Sequence, residues 1–81
     1  MSIAAMVNRT LDRLDIERLS EALAQLAFER RDEEPLAMRP PRMAYVMAFT
    51  RELSPDEWVH ACRRYQSEVI RLVVEEKEAA E

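Results

Sequence analysis

His60 and Asp56 are the side chains whose types and spacing come closest to general acid–base chemistry. They lie four residues apart, so a helix places them on one face, where a carboxylate can orient an imidazole. Covalent catalysis also needs a hydroxyl or thiol beside the imidazole. Ser67 lies two turns further along, and Cys62 points toward an apolar stripe of the same predicted helix. We therefore expect His60 to be an exposed surface histidine, and we predict no catalytic residues and no enzymatic activity.

The remaining metal-ligating residue types do not form a pattern that predicts a metal or cofactor site. Cys62 is the single cysteine of the chain, and with one histidine it cannot complete a four-ligand zinc site. The acidic runs at 32–34 and 75–76 lack the glycine-turned loop that hard-cation sites use. The sequence contains no glycine, which excludes glycine-rich phosphate loops and the dinucleotide fingerprint. We predict no metal ligand and no cofactor.

Charge and hydropathy restrict the class of partner. The 81-residue chain has 12 basic and 16 acidic residues, a net charge of −4, which counts against binding to nucleic acid. A helix-turn-helix built from 43–53 and the helix after it would bring Asp56 and Glu57 against DNA phosphates. A basic leader and an apolar run of membrane-spanning length are both missing from the sequence. We expect a cytoplasmic protein that binds neither nucleic acid nor membrane.

The apolar spacing predicts one all-α domain over 1–81, a small bundle of three to four helices with a long C-terminal helix. Apolar residues within 3–14 and within 16–27 both follow helical spacing, but they point in opposed directions around a single straight helix. A break at Asp15, which would cap a new helix while Leu14 packs on Leu19, predicts separate helices at 3–13 and 16–31. The alternative is one long helix whose halves meet different partners.

Proline and charge divide the rest of the chain. Residues 32–41 contain three prolines and predict a stiff extended linker. The charge-free run that follows is ambiguous between strand and helix, and its alanines and methionines favour a helix over 42–53. Ser54, Pro55 and Glu57 form a capping-box pattern that predicts a helix over 55–76. The acidic tail 77–81 opposes the helix dipole and is expected to fray.

Two sets of residues are candidates for contacts with other chains. The apolar arc of the C-terminal helix spans about 160°, wider than a surface helix needs. It predicts a homodimer through a stripe at 4-3-4-3 spacing, formed by Trp58, Cys62, Tyr65, Val69 and Leu72. Methionine and aromatic residues with arginine at the edge are typical of adaptable protein-binding surfaces. They predict a partner-binding set of Arg39, Arg42, Met43, Tyr45, Met47 and Phe49, with the alternative that the apolar residues among them fill the core.

By elimination, these patterns indicate a small regulatory or inhibitory protein that acts by binding another protein without catalysis. Proteins of this size and composition include modulators of host machinery encoded by phages and mobile elements, an association that rests on size and composition alone. The alternative is a DNA-associated helical transcriptional regulator or an antitoxin-like dimer. The sequence does not identify the partner.

Overall fold

A computed structural model describes the backbone of residues 3–80 and the side chains of residues 12–80. It contains three helices, α1 (Ile3–Glu29), α2 (Arg42–Phe49) and α3 (Pro55–Ala80), and no strand over that range. The prediction of an all-α fold with a long C-terminal helix is confirmed. The number of helices is three, at the lower end of the expected three to four.

The predicted break at Asp15 is wrong, because α1 is continuous from Ile3 to Glu29. Helix propensity explains this, since an exposed aspartate inside a helix costs only about half a kcal/mol relative to alanine and nothing at this point blocks propagation. Leu14 is exposed and does not form the expected staple. The continuous helix agrees with the alternative of one long helix. The apolar side chains before Asp12 lie outside the described residues.

Helices α1 and α3 lie side by side and run parallel. Three polar contacts between them join Glu17 to His60, Glu21 to Arg64, and Gln25 to Glu68, each pair 43 residues apart in the chain. The residue numbers in α1 and α3 increase together from one contact to the next, so the two helices point in the same direction. The chain must therefore return along the full length of the interface before α3 can begin, and residues 30–54 make this return.

The return begins with the linker, which covers an apolar cluster that we call the linker-side cluster. Its buried members are Ala24, Tyr65 and Val69, and Leu36 of the linker packs against them. The Tyr65 hydroxyl donates a hydrogen bond to the carbonyl of Ala37, with 2.9 Å between the oxygens. The predicted extended linker thus lies against α3 and is part of the core.

The return ends with α2, which covers a second cluster that we call the helix-side cluster. Its buried members are Ile16, Tyr45 and Ala61, and Trp58 packs against them with its ring edge-on to Tyr45. The Tyr45 hydroxyl lies 2.7 Å from the Ser20 hydroxyl, which itself donates to the carbonyl of Ile16. Burial raises the pKa of Tyr45. Both buried polar groups are satisfied, so the cluster has no unpaired hydroxyl.

Helix α2 ends at Phe49, four residues before the predicted end at residue 53. Thr50 stops it by adopting a left-handed conformation, with φ 55° and ψ 29°. Glycine is the usual residue at such a helix end, and this chain has none. A β-branched residue therefore occupies a conformation that costs about 1–2 kcal/mol for residues other than glycine.

The predicted start of α3 is confirmed. The Ser54 amide donates to Oε1 of Glu57 at 2.9 Å, and the Glu57 amide donates to Oγ of Ser54 at 3.2 Å, which completes the capping box. Helix α3 extends beyond the predicted end at residue 76 and is helical through Ala80, so the tail that was expected to fray belongs to the helix as far as that residue. Glutamate, lysine and alanine are strong helix formers, and an ion pair of 2.7 Å joins Glu76 to Arg31. Residue 81 lies outside the described residues.

Candidate interaction surface

Helix α2 has apolar side chains on both of its faces. Tyr45 and Phe49 turn inward, where Tyr45 is fully buried and Phe49 packs against the helix-side cluster. Met43 and Met47 turn outward and are 63% and 75% exposed. A helix that only covered a core would carry polar residues on its outer face. The outward methionines are therefore not used by the core and are available to contact another molecule.

Two arginines of the predicted set, Arg39 and Arg42, are exposed near the start of α2. The Arg42 guanidinium lies over the Trp58 ring, 4.5 Å from its centroid, and this stacking fixes the side chain at the base of α2. Arg39 and Arg42 both lower the pKa of Cys62, but burial of the thiol has the larger effect and raises that pKa overall. Cys62 is consequently a half-buried thiol without activation, in agreement with its interpretation as a small apolar residue.

The structure divides the predicted partner-binding set. Tyr45 and Phe49 belong to the core, which is the alternative that the sequence left open. Arg39, Arg42, Met43 and Met47 are exposed. We call these four residues the methionine surface.

The predicted self-association stripe faces the inside of this chain. Tyr65 and Val69 are buried in the linker-side cluster, and Trp58 packs on the helix-side cluster. Cys62 and Leu72 are half-buried. The apolar side chains of α3 that remain open to solvent are Val59, Ile70 and Val74. Periodicity alone does not separate these three residues from the buried residues of the apolar arc, because it does not give the position of α1 around α3.

His60 takes part in a polar seam along one edge of the α1–α3 interface, which the sequence did not predict. Its Nε2 lies 2.9 Å from Oε1 of Glu17, and the side chain is only 25% exposed. One turn further along, Arg64 donates to Glu21, and the next turn brings Gln25 to Glu68 at 3.1 Å. The pKa of Glu68 is lowered, chiefly by its hydrogen bond from Arg71. All three contacts of the seam share one register, an offset of 43 residues.

A surface groove of about 610 Å³ lies beside His60 at the start of α3. Arg51 crosses it and donates to both carboxylate oxygens of Glu57, at 2.8 and 2.9 Å, and to Asp12 at 3.2 Å. Arg51 lowers the pKa of Glu57 to about 2. The Ser54 hydroxyl in the same groove accepts the capping hydrogen bond from Glu57. Arg51, Glu57 and Asp12 are committed to one another, so these three side chains bind a ligand only if those contacts break.

Within the described residues, no three His, Cys, Asp or Glu side chains converge as metal ligands would. No helix described by the structure combines the length and apolar character needed to cross a bilayer. Comparison of the chain with protein-family models, curated proteins and solved structures gives no match.

Proposed function

We propose that the chain is a small non-catalytic regulatory protein that acts by binding another protein through the methionine surface. The observation that carries this proposal is the exposure of Met47, at 75%, on a helix whose opposite face is already used by the core. Methionine is flexible and polarizable, so it adapts to irregular apolar surfaces on a partner. A regulator of host machinery encoded by a mobile element is one form that such a protein takes.

Two exposed arginines near the start of α2 indicate the chemistry of the partner. Arg39 and Arg42 form no ion pair among the side chains of residues 12–80, although the chain as a whole has a net charge of −4. Arginine held beside an apolar contact forms charge-assisted hydrogen bonds with carboxylates. We infer a partner that presents an apolar groove or helix bordered by acidic side chains.

The test is capture from a lysate of the source organism by the tagged chain, with and without nuclease, followed by mass spectrometry. Met47→Glu is expected to abolish capture of a stoichiometric, nuclease-resistant protein, because it places a carboxylate in the apolar contact. Leu14→Glu is the matched control, since it adds the same charge at another exposed apolar residue, on α1. Circular dichroism melting confirms that both variants fold.

Two results contradict the proposal. A partner that is retained by Met47→Glu binds elsewhere on the chain. A partner that is lost on nuclease treatment supports the DNA-associated alternative in its place.

A further inference from the structure

A second exposed surface runs along the side of α3 that faces away from α1. At 100° per residue, its members fall within an arc of about 60° around the helix. We call it the outer stripe, and it consists of Asp56, Val59, Arg63, Ile70, Val74 and Lys77. Its three apolar members are each about half exposed, from 45% to 57%.

The charged residues of the outer stripe differ from most of the other charged residues of α3. Elsewhere on this helix, ion pairs within the chain are formed by Glu57, Arg64, Glu68, Arg71, Glu75 and Glu76. His60 is within hydrogen-bond distance of Glu17, and Glu78 has no ion-pair partner among the described side chains. Asp56, Arg63 and Lys77 form no ion pair with any described side chain. The stripe therefore combines exposed apolar groups with charges that the monomer leaves unpaired.

We propose that the outer stripe is the contact between two copies of this chain, with their α3 helices antiparallel across a two-fold axis that passes beside residues 66 and 67. The order of residue types along the stripe is the basis of this assignment. In that arrangement Asp56 faces the partner's Lys77, Val59 faces the partner's Val74, and Arg63 faces the partner's Ile70. Each contact occurs twice, as a two-fold axis requires.

Charge selects the antiparallel orientation and the register. A parallel pair would place Asp56, Arg63 and Lys77 each against its own copy, which brings like charges together at three levels. The antiparallel pair instead joins Asp56 to Lys77 at both ends, and the aliphatic stem of Arg63 can lie on Ile70 while its guanidinium stays in water. Antiparallel helix dipoles also attract. A second copy is thus a partner whose charge pattern matches the stripe.

This dimer differs from the one that the sequence predicted, because Trp58, Tyr65 and Val69 of that predicted stripe pack inside the chain. It also leaves the methionine surface out of the contact, so the two proposals can fail separately. Exposed ion pairs contribute less than about 1 kcal/mol each. We therefore expect a dimer that dissociates on dilution.

The first experiment is sedimentation of the full chain over a concentration series. The apparent mass is expected to rise from the 9.5 kDa of the monomer toward twice that value. Ile70→Glu is expected to hold the mass at the monomer value with an unchanged melting curve, since Ile70 is exposed in the monomer. Met47→Glu is the matched control and should still dimerise. A wild-type chain that stays monomeric at about 1 mM, or a dimer that survives Ile70→Glu, overturns the proposal.

The second experiment tests the register by exchanging charges. Asp56→Lys and Lys77→Asp each place like charges at both ends of the homodimer, so each variant alone is expected to dimerise less than the wild type. An equimolar mixture of the two restores opposite charges at both ends and should recover the dimer. Circular dichroism shows whether Asp56→Lys weakens the start of α3 in its own right. A mixture that dimerises no better than its components overturns the antiparallel register.

Discussion

The two apolar clusters between α1 and α3 are similar in size but are covered by different kinds of structure. Helix α2 covers the helix-side cluster and buries the whole Tyr45 side chain in it. The extended linker covers the linker-side cluster with the half-buried Leu36 and with a backbone carbonyl that accepts from Tyr65. Both segments also leave methionine side chains in solvent, Met43 and Met47 on α2 and the 54%-exposed Met38 on the linker. The comparison therefore indicates that the two segments differ in what they bury, because only α2 contributes a fully buried aromatic side chain.

The largest expected effect comes from comparing substitutions in the two segments that cover the clusters, α2 and the linker. Tyr45→Ala should lower the free energy of unfolding by about 3–5 kcal/mol, because it empties the centre of the helix-side cluster and leaves Ser20 without one partner. Leu36→Ala should lower it by about 1–2 kcal/mol, since this side chain is already partly in water. Urea unfolding followed by circular dichroism measures both. Equal losses of unfolding free energy would show that the linker stabilises its cluster as much as α2 stabilises the other.

Met47→Ala is the control for these two substitutions. It removes a large apolar side chain from the outer face of α2, and it should change the unfolding free energy by less than about 0.5 kcal/mol. A larger loss would place Met47 in the core and remove the main support for the methionine surface.

A smaller effect is expected at the end of α2. Thr50→Gly should stabilise the fold by about 1 kcal/mol, because glycine adopts the left-handed conformation without the steric cost of a β-carbon. Thr50→Ala, which keeps the β-carbon, should give no such gain. Thermal unfolding of the three proteins measures the difference. If Thr50→Gly does not raise the thermal stability, the left-handed conformation at the end of α2 does not destabilise the fold.

The smallest effect concerns acid stability at the junction of α2 and α3. The pKa of Glu57 is lowered to about 2 by Arg51, so the ion pair stabilises the fold fully above the usual glutamate pKa, near 4.5, and this contribution disappears as the pH falls through about 2. Glu57→Gln keeps the capping box but removes the pair, at a cost below about 1 kcal/mol near neutral pH. Its unfolding free energy should therefore converge on that of the wild type at low pH.

Glu33→Gln, in the exposed turn after α1, controls for the loss of one negative charge. If the difference in unfolding free energy between Glu57→Gln and the wild type instead stays constant from neutral pH to about pH 2, the ion pair with Arg51 does not stabilise the junction of α2 and α3.

Local signals predicted local structure well. The capping box from Ser54 to Glu57 is complete within four residues, so its outcome did not depend on the rest of the fold. The end of α2 was misplaced because the sequence has no glycine to mark it, and a threonine in the left-handed region leaves no such signal. The break at Asp15 was predicted from opposed apolar directions, but these alone do not interrupt a helix where no residue blocks its propagation.

The candidate surfaces depended on a long-range arrangement that periodicity does not contain. Tyr45 and Met47 have similar sequence surroundings, and only the position of α2 over Ser20 shows that one is buried and the other exposed. The seam of Glu17, Glu21 and Gln25 likewise follows from the parallel pairing of α1 with α3. No signal within either helix gives the offset of 43 residues between them.

That offset has a consequence for how the chain folds. In a helical hairpin, contacts begin next to the turn and can form one after another along the pair. Here the contacts from Glu17–His60 to Gln25–Glu68 all join residues 43 apart, so none of them is reached by a short loop. We expect slower folding than is usual for a helical protein of this length, and formation of the whole interface in a single kinetic step.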